Sequence, residues 1–265
     1  GDNNCDFNHH YLGASLNFHL AKNSPTRAKM RTMACSVSAM ATGIPMVRLA
    51  TRILLGASLA DMGWEPGLAP IPDLVAVKAP VFSMAKLSGV DTYLGPEMKS
   101  TGEVMGVDHS FAPALLKAMI AAGNSLPSEG NVLLSIADRD KPESTDIIRR
   151  LASLGYRLVA TEGTGRYIGS LGLPVQTVAK LGAGSPNVEE FIRSGSSVLI
   201  LNTLTGRRQA LQDGHHMRRA AAETRTPCFT NLETARTLID ALGATHGQYD
   251  VRTIGEYRGT SSVRS

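Results

Sequence analysis

The sequence predicts an α/β fold over residues 131–265, with a five-stranded, mainly parallel sheet and helices on both of its faces. Two observations support this prediction. From residue 131 onward, short apolar runs alternate with amphipathic segments, which is typical of strand–helix–strand units. The first run, NVLLSIA at 131–137, is continuously apolar, as strands covered on both faces are. Residues 1–123 lack this alternation and predict a helix-rich unit, and NSLPSEG at 124–130 has the composition of a linker.

Within residues 1–123, three segments carry a pattern. Residues 42–56 have apolar side chains at helical spacing, and Gly56 is a plausible end for that helix. The proline-rich segment 65–80 predicts an extended connector that ends in a short strand. SFAPALLKAMIAAG at 110–123 predicts a helix that Gly123 closes, whereas residues 1–40 show no sustained period.

The elements after the linker follow in regular order. Strands are predicted at 131–137, 156–161, 174–180, 197–204 and 227–231. Helices are predicted at 142–154, 163–172, 187–195, 215–224 and 232–243. The closing segment VRTIGEY at 251–257 favours a final edge strand. Because crossovers between parallel strands are right-handed, the loops that follow the strands meet at one edge of the sheet.

Composition excludes several classes of protein. The net charge of +4, from 27 Lys and Arg against 23 Asp and Glu, is too small for a nucleic-acid surface, and aromatic residues are only 5% of the chain. Cys5, Cys35 and Cys228 lie far apart and have no metal-ligand spacing, so a reducing cytoplasmic setting is expected. No apolar run is long enough to cross a membrane, and the first residues lack a signal-peptide pattern.

The loop TEGTG at 161–165 is the strongest candidate for a ligand site. Gly163 lets the backbone approach an anion, the following helix directs N–H groups outward, and Thr161 and Thr164 add hydroxyl donors. That combination is typical of a phosphate cradle. The alternative is an ordinary strand-to-helix turn in which threonine caps the helix.

Other candidates lie in the neighbouring loops. Lys141 and Lys180 are the only lysines after residue 128, and both follow predicted strands, which favours an anion site at this edge. Asn202 and Thr205 lie where an amide and a hydroxyl could bind a sugar or base, and Thr230 follows the last strand. The alternative for each lysine is a solvated surface side chain.

Two pairs of polar residues are assigned no ligand role. His215 and His216 are interpreted as an exposed helix start, since adjacent helical side chains diverge and no third metal ligand has suitable spacing. Arg218 and Arg219 are interpreted as part of a solvated face. No loop supplies a nucleophile–base pair or a carboxylate pair, so no catalytic residue and no metal site are predicted.

Two stretches resemble a known family. LGPEMKSTGEVMG at 94–106, preceded by ATGIPMVRLATRILLG at 41–56, resembles the end of the second ATP-grasp synthetase domain in the large subunit of carbamoyl phosphate synthetase. Residues 131–257 resemble that subunit's carboxy-terminal regulatory domain, which has the methylglyoxal-synthase fold. The resemblance covers about residues 23–257.

The resemblance implies a biochemical setting. The family makes carbamoyl phosphate from bicarbonate, glutamine-derived ammonia and two molecules of Mg-ATP, with a glutaminase small subunit, for arginine and pyrimidine synthesis. Its regulatory domain binds nucleotides such as UMP or IMP. The resemblance places nucleotide and phosphate contacts at Lys141, Thr161, Gly163, Thr164, Lys180, Asn202 and Thr205. It also places Thr230 near an activator site, where Cys228 stands in the position of a tyrosine found in some members.

The chain also departs from the family pattern. The synthetase stretch Glu-x-Asn-Pro-Arg, which holds magnesium and ATP, corresponds here to KNSPTRAKMRTMACS, which has no matching glutamate. The resemblance implies that residues 1–123 are an incomplete remnant of this domain with exposed apolar surface, and we therefore expect the chain alone to be inactive as a synthetase. A methylglyoxal-synthase-type lyase is a second alternative, but GAGSPN at 182–187 lacks the aspartate base that such an enzyme needs. A structural module without a ligand is the third.

Overall fold

The computed structural model describes residues 35–65, 67, 72–82, 100–203 and 208–259. Its strands are β1 (Val75–Phe82), β2 (Ser100–Asp108), β3 (Asn131–Ser135), β4 (Arg157–Thr161), β5 (Gln176–Val178), β6 (Ser197–Asn202) and β7 (Cys228–Phe229). Its α-helices are α1 (Cys35–Thr42), α2 (Met46–Leu54), α3 (Phe111–Ala121), α4 (Lys141–Ser153), α5 (Glu162–Ser170), α6 (Val188–Arg193), α7 (Arg208–Thr224), α8 (Leu232–Thr245) and α9 (Ile254–Tyr257).

The strands β3 to β7 form the predicted sheet. They lie in the order β5-β4-β3-β6-β7, and every neighbouring pair is parallel. The five-stranded α/β fold expected from the alternating pattern is therefore confirmed. The order places β3 in the centre, so the chain builds the sheet outward first to one side and then to the other.

Alternating side chains of the sheet pack on two layers of helices. Leu133 of β3 is level with Val159 of β4 and Ile200 of β6, and this row packs against α6 and α7. The next row, which includes Leu134 and Leu201, belongs to a larger core with α4, α5 and α8. Because both faces are covered, these strands are continuously apolar, as the sequence indicated.

The segment before the linker contains a pair of long strands, of which the sequence analysis predicted only a short strand at the end of residues 65–80. β1 and β2 pair antiparallel from Val75 opposite Asp108 to Phe82 opposite Ser100. The prolines and glycines of this region obscured the alternation on which a strand prediction depends. The description of residues 1–123 as helix-rich was therefore incomplete.

Helix α3 joins this pair to the sheet. It packs on both β1 and β2 and also against α8. Leu115 of α3 lies in the same apolar core as Val77 of β1, Leu134 of β3 and Leu238 of α8. The proposed boundary at residues 124–130 stays a prediction, and the core is continuous across it.

Helix α2 contributes nothing to that core. The helix has no buried residue, and Val47, Ile53, Leu54 and the following Leu55 are between 45% and 87% exposed. An exposed apolar surface was expected in this part of the chain, and α2 carries one. Across the described ranges, none of the helices combines the length and apolar character that a membrane span needs.

The end of the chain differs from the sequence prediction. Residues 254–257 form the short helix α9, so the edge strand predicted for VRTIGEY is wrong. The Thr253 hydroxyl accepts from the Glu256 N–H, and the Glu256 carboxylate accepts from the Thr253 N–H. This reciprocal capping box, readable as Thr-x-x-Glu, is the signal that the strand prediction overlooked.

Helix α9 is held to β2 through a buried lysine. The Lys117 ammonium donates to the Asp108 carboxylate at 2.6 Å, to the Val107 carbonyl at 3.0 Å and to the Tyr257 hydroxyl at 2.5 Å. The same ammonium lies 4.6 Å from the Tyr257 ring centre. Burial acts to raise the pKa of Asp108, but the hydrogen bond and charge of Lys117 together with the bonds from the His109 and Ser110 N–H groups outweigh burial and hold that pKa below its usual value.

We expect Asp108→Asn to lower the free energy of unfolding at pH 7 by about 1.5–3 kcal/mol, since Lys117 loses a charged partner. A carboxyl with a lowered pKa stabilises the fold above its unfolded pKa, and this contribution is lost as the pH falls through the folded pKa. The difference from wild type should therefore narrow below about pH 4. Urea unfolding at several pH values measures it. Asp73→Asn, at an exposed carboxylate before β1, is the control, and an equal loss there would contradict the prediction.

Candidate functional site

An open cleft of about 530 Å³ lies beside the carboxyl ends of β4 and β5. It is lined by Asp138, Lys141, Glu162, Gly163, Arg166, Tyr167 and Lys180. Three of these side chains are cationic and two are carboxylates, so the lining carries an excess of one positive charge. Open parallel sheets bind ligands at the carboxyl ends of their strands, and the cleft lies on that side of this sheet.

Lys141 is the least exposed of the three cations that line the cleft. It is the first residue of α4, and its side chain is only 14% exposed. The ammonium donates to the Gly163 carbonyl at 2.8 Å and to the Asp138 carboxylate at 2.6 Å. Because Asp138 is 87% exposed, water competes for its carboxylate, and an anionic ligand could take its place beside Lys141.

The turn from β4 into α5 has the predicted form of a strand followed directly by a helix. Thr161 lies at the helix N-cap with extended backbone, but no side chain caps the helix. The first-turn N–H groups of α5 therefore remain available to an anion, which the helix dipole favours at this end. Gly163 lies in that first turn, and a side chain at its position would come within 3.7 Å of the Lys141 ammonium.

The two threonine hydroxyls serve the fold in this structure. The Thr164 hydroxyl accepts from the Ile136 N–H at 3.0 Å and lies 3.4 Å from the Thr161 hydroxyl. Thr161 is 6% exposed and Thr164 is 1% exposed. These contacts tie the start of α5 to the end of β3, and thereby fix the helix terminus that faces the cleft.

Lys180 completes the cationic lining from the other side. It follows β5, its side chain is exposed, and it lies on the same cleft as Lys141. Arg166 and Tyr167 also line the cleft, and the sequence analysis named neither. The sequence feature that could have identified them is their position one helical turn after Gly163. This spacing places Arg166 and Tyr167 on the same side of α5 as that glycine. The Tyr167 hydroxyl is hydrogen-bonded to that of Thr145 at 2.6 Å.

The remaining predicted residues are distributed along the same edge. Asn202 ends β6, is 4% exposed, and does not line the cleft. Two strand spacings, about 10 Å, separate the end of β6 from that of β4. Thr230 follows β7 at the far side, whereas Thr205 lies outside the described residues. The structure thus brings Lys141, Gly163 and Lys180 together and places Asn202 and Thr230 further along.

Two interpretations of α7 are corrected. Arg218 is 9% exposed, so its assignment to a solvated face is wrong. Helix α7 begins at Arg208, which places His215 and His216 in the middle of the helix rather than at its start. The sequence signal that the analysis overlooked is the helical spacing of Met217, Ala220 and Ala221, all of which are buried on one face.

Acid–base and metal chemistry find little support at this edge. The described part of the chain contains no grouping of three or more His, Cys, Asp or Glu side chains that could hold a metal ion. Burial raises the pKa of the Cys228 thiol to about 12, so it is not a nucleophile at neutral pH. The excess of positive charge in the cleft fits the binding of an anion.

Comparison with known proteins shows what this chain is similar to. Residues 143–230 match the MGS-like domain family. The chain is also 51% identical over 223 residues to the carbamoyl phosphate synthase large chain of Thermomicrobium roseum. That match covers 84% of this chain but 21% of the relative, so the chain spans about a fifth of its length.

Proposed function

Since this chain is a relative of carbamoyl phosphate synthase large chains and contains an MGS-like domain, we propose that it provides a regulatory nucleotide site for such a synthase. The observation that carries the proposal is the cleft, in which two lysines and an uncapped helix N-terminus face the same space. The ligand is a nucleoside monophosphate of the UMP or IMP type.

The phosphate would lie between Lys141, Lys180 and the first turn of α5. A phosphate ester carries up to two negative charges at neutral pH, and two lysines match that charge. The backbone N–H groups of α5 add directional donors, and Gly163 leaves room for close approach. The nucleoside would extend along the edge toward Asn202 and Thr205, whose amide and hydroxyl suit a sugar or base.

The wider setting is proposed from the relative. In a complete synthase, carbamoyl phosphate is made from bicarbonate, glutamine-derived ammonia and Mg-ATP, with a glutaminase small subunit as partner, in the cytoplasm. The MGS-like domain would adjust that activity to the supply of pyrimidine or arginine precursors. The chain alone would bind the nucleotide without turning over ATP, and Thr230 would belong to a separate activator site.

Lys180→Met tests the phosphate contact. We expect it to weaken the binding of UMP and of inorganic phosphate about tenfold or more, because one charge-assisted hydrogen bond contributes about 1.5–3 kcal/mol. Isothermal calorimetry on the full chain measures both affinities. Binding should also weaken at high salt, since the contacts are charged and exposed.

Arg157→Met is the matched control, because Arg157 starts β4 and its positive charge lies at the opposite edge of the same sheet. It should bind UMP like wild type. If wild type binds neither UMP nor IMP at millimolar concentration, the proposed function is wrong and a structural module remains. If Lys180→Met and Arg157→Met lose affinity equally, the cleft is not the site.

A further inference from the structure

A buried arginine, Arg218, lies near the end of β6. Arg218 is 9% exposed, and its Nε has no hydrogen-bond partner. No carboxylate among the described residues forms an ion pair with it, and the neighbouring undescribed segment 204–207 contains no Asp or Glu. A cation is costly to bury without compensation, so such a group is retained for a purpose other than stability.

The one hydrogen bond of the Arg218 side chain within the described ranges goes to Asn202. Its guanidinium donates to Oδ1 of that amide at 3.4 Å. Nδ2 of the same amide lies 3.8 Å from the Met217 sulfur, which is a weak acceptor, and its second N–H has no acceptor in the described part of the chain. The arginine therefore determines which end of the amide remains available as a hydrogen-bond donor.

A glycine in the middle of α7 provides the space for this pair. A Cβ atom at Gly214 would lie 2.9 Å from the Arg218 guanidinium and 3.1 Å from Asn202 Oδ1. Glycine is a poor helix former, and Gly214 lies six residues into a helix of 17 residues. The Arg218–Asn202 contact explains why a glycine stands at position 214. This glycine is independent evidence that the sequence accommodates the pair.

We infer that Arg218 is a positioning residue of the nucleotide site, which holds Oδ1 of Asn202 so that Nδ2 donates to an oxygen atom of the ligand. The inference rests on the proposed function, because Asn202 is the ligand contact through which Arg218 acts. The uncompensated positive charge behind the amide further favours an acceptor oxygen, whether carbonyl, hydroxyl or phosphoryl, over an amino group. An exposed surface arginine, or one with a purely structural role, would not orient the Asn202 amide toward a ligand.

A double-mutant cycle tests the coupling. We expect Arg218→Met to weaken UMP binding about tenfold, and Asn202→Ala to weaken it by a similar factor. The double variant should bind no more weakly than Asn202→Ala, because both changes remove the same oriented donor. Arg218→Lys, which keeps the charge and a donor, should recover part of the affinity. Calorimetry on the full chain measures each variant.

Inorganic phosphate separates positioning from general disruption. It binds at the Lys141–Lys180 cleft, so Arg218→Met should leave its affinity unchanged. Arg219→Met, which removes the neighbouring arginine that pairs with Glu223, is the control on the same helix and should bind UMP like wild type. In NMR spectra of the ligand-free protein, the side-chain amide resonance of Asn202 should differ between Arg218→Met and wild type.

The outcomes are distinguishable. Failure of wild type to bind both UMP and phosphate overturns the proposed function and this inference with it. Wild-type binding combined with an unaffected Arg218→Met overturns the inference alone. It is likewise overturned if the two losses multiply in the double variant, if phosphate affinity falls as much as UMP affinity, or if the amide resonance stays in place.

Discussion

Gly106→Ala is expected to separate β2 from α3 and to lower the free energy of unfolding by about 3 kcal/mol or more. A Cβ atom at this position would lie 2.0 Å from the Ala114 carbonyl oxygen and 2.4 Å from the Ala118 nitrogen. Both atoms are helix backbone, so no side-chain rotation relieves the clash. The midpoint of thermal unfolding should fall by about 6–12 °C, measured by circular dichroism.

Gly102→Ala is the matched control, because it makes the same change four residues earlier in the same strand. A Cβ atom at Gly102 meets nothing within 4 Å. We expect its unfolding midpoint to stay within a few degrees of wild type. Equal losses in both variants would show that strand propensity, rather than the contact with α3, sets the requirement for glycine.

Removing both lysines of the cleft is expected to have the largest effect on binding. If Lys141→Met and Lys180→Met each cost about tenfold or more, the double variant should lose more affinity than either single variant, and the phosphate that both lysines contact couples the two losses. UMP and inorganic phosphate should then show no binding at millimolar concentration in calorimetry.

The control for this pair removes two positive charges at the amino ends of the strands, opposite the cleft. Arg157 starts β4, and Arg193 ends α6 just before β6 begins, so both lie at the amino ends of the strands. Arg157→Met/Arg193→Met should bind UMP like wild type at physiological salt. If it weakens binding as much as the lysine pair, then the overall charge of the chain attracts the ligand and the cleft has no special role.

The sheet was predictable because apolar periodicity reports burial directly. Strands such as β3 and β6 are covered on both faces and leave an uninterrupted apolar run. The shared location of Lys141 and Lys180 was also predictable. Both residues follow strands of a parallel sheet, and the carboxyl ends of such strands lie at the same edge. A short strand was predicted where β1 lies, but its full length and its partner β2 were missed because residues such as Pro80 and Gly106 interrupt the pattern on which a strand prediction rests.

The burial of Arg218 could not be predicted from residue type. Arginine is seldom buried without a partner, so a charged pair on a helix was assigned to the surface. The decisive contact joins residues 16 positions apart, on the end of β6 and the middle of α7, and only the folded chain brings them together. Arg166 and Tyr167 were missed for another reason. Whether a residue of α5 lines a cleft depends on the elements that surround the helix, and the sequence of the helix alone does not show them.

The core that α3 shares with α8 has a thermodynamic consequence. A ligand that binds only the folded state stabilises it in proportion to the logarithm of its concentration above the dissociation constant. Since the apolar core continues from Val77 through Leu115 to Leu238, the β1–β2 pair cannot unfold without exposing part of the sheet's own core. A ligand bound in the cleft beside β4 and β5 therefore also protects β1 and β2 from unfolding, although these strands do not contact it. This protection arises from thermodynamic linkage and needs no movement of the backbone.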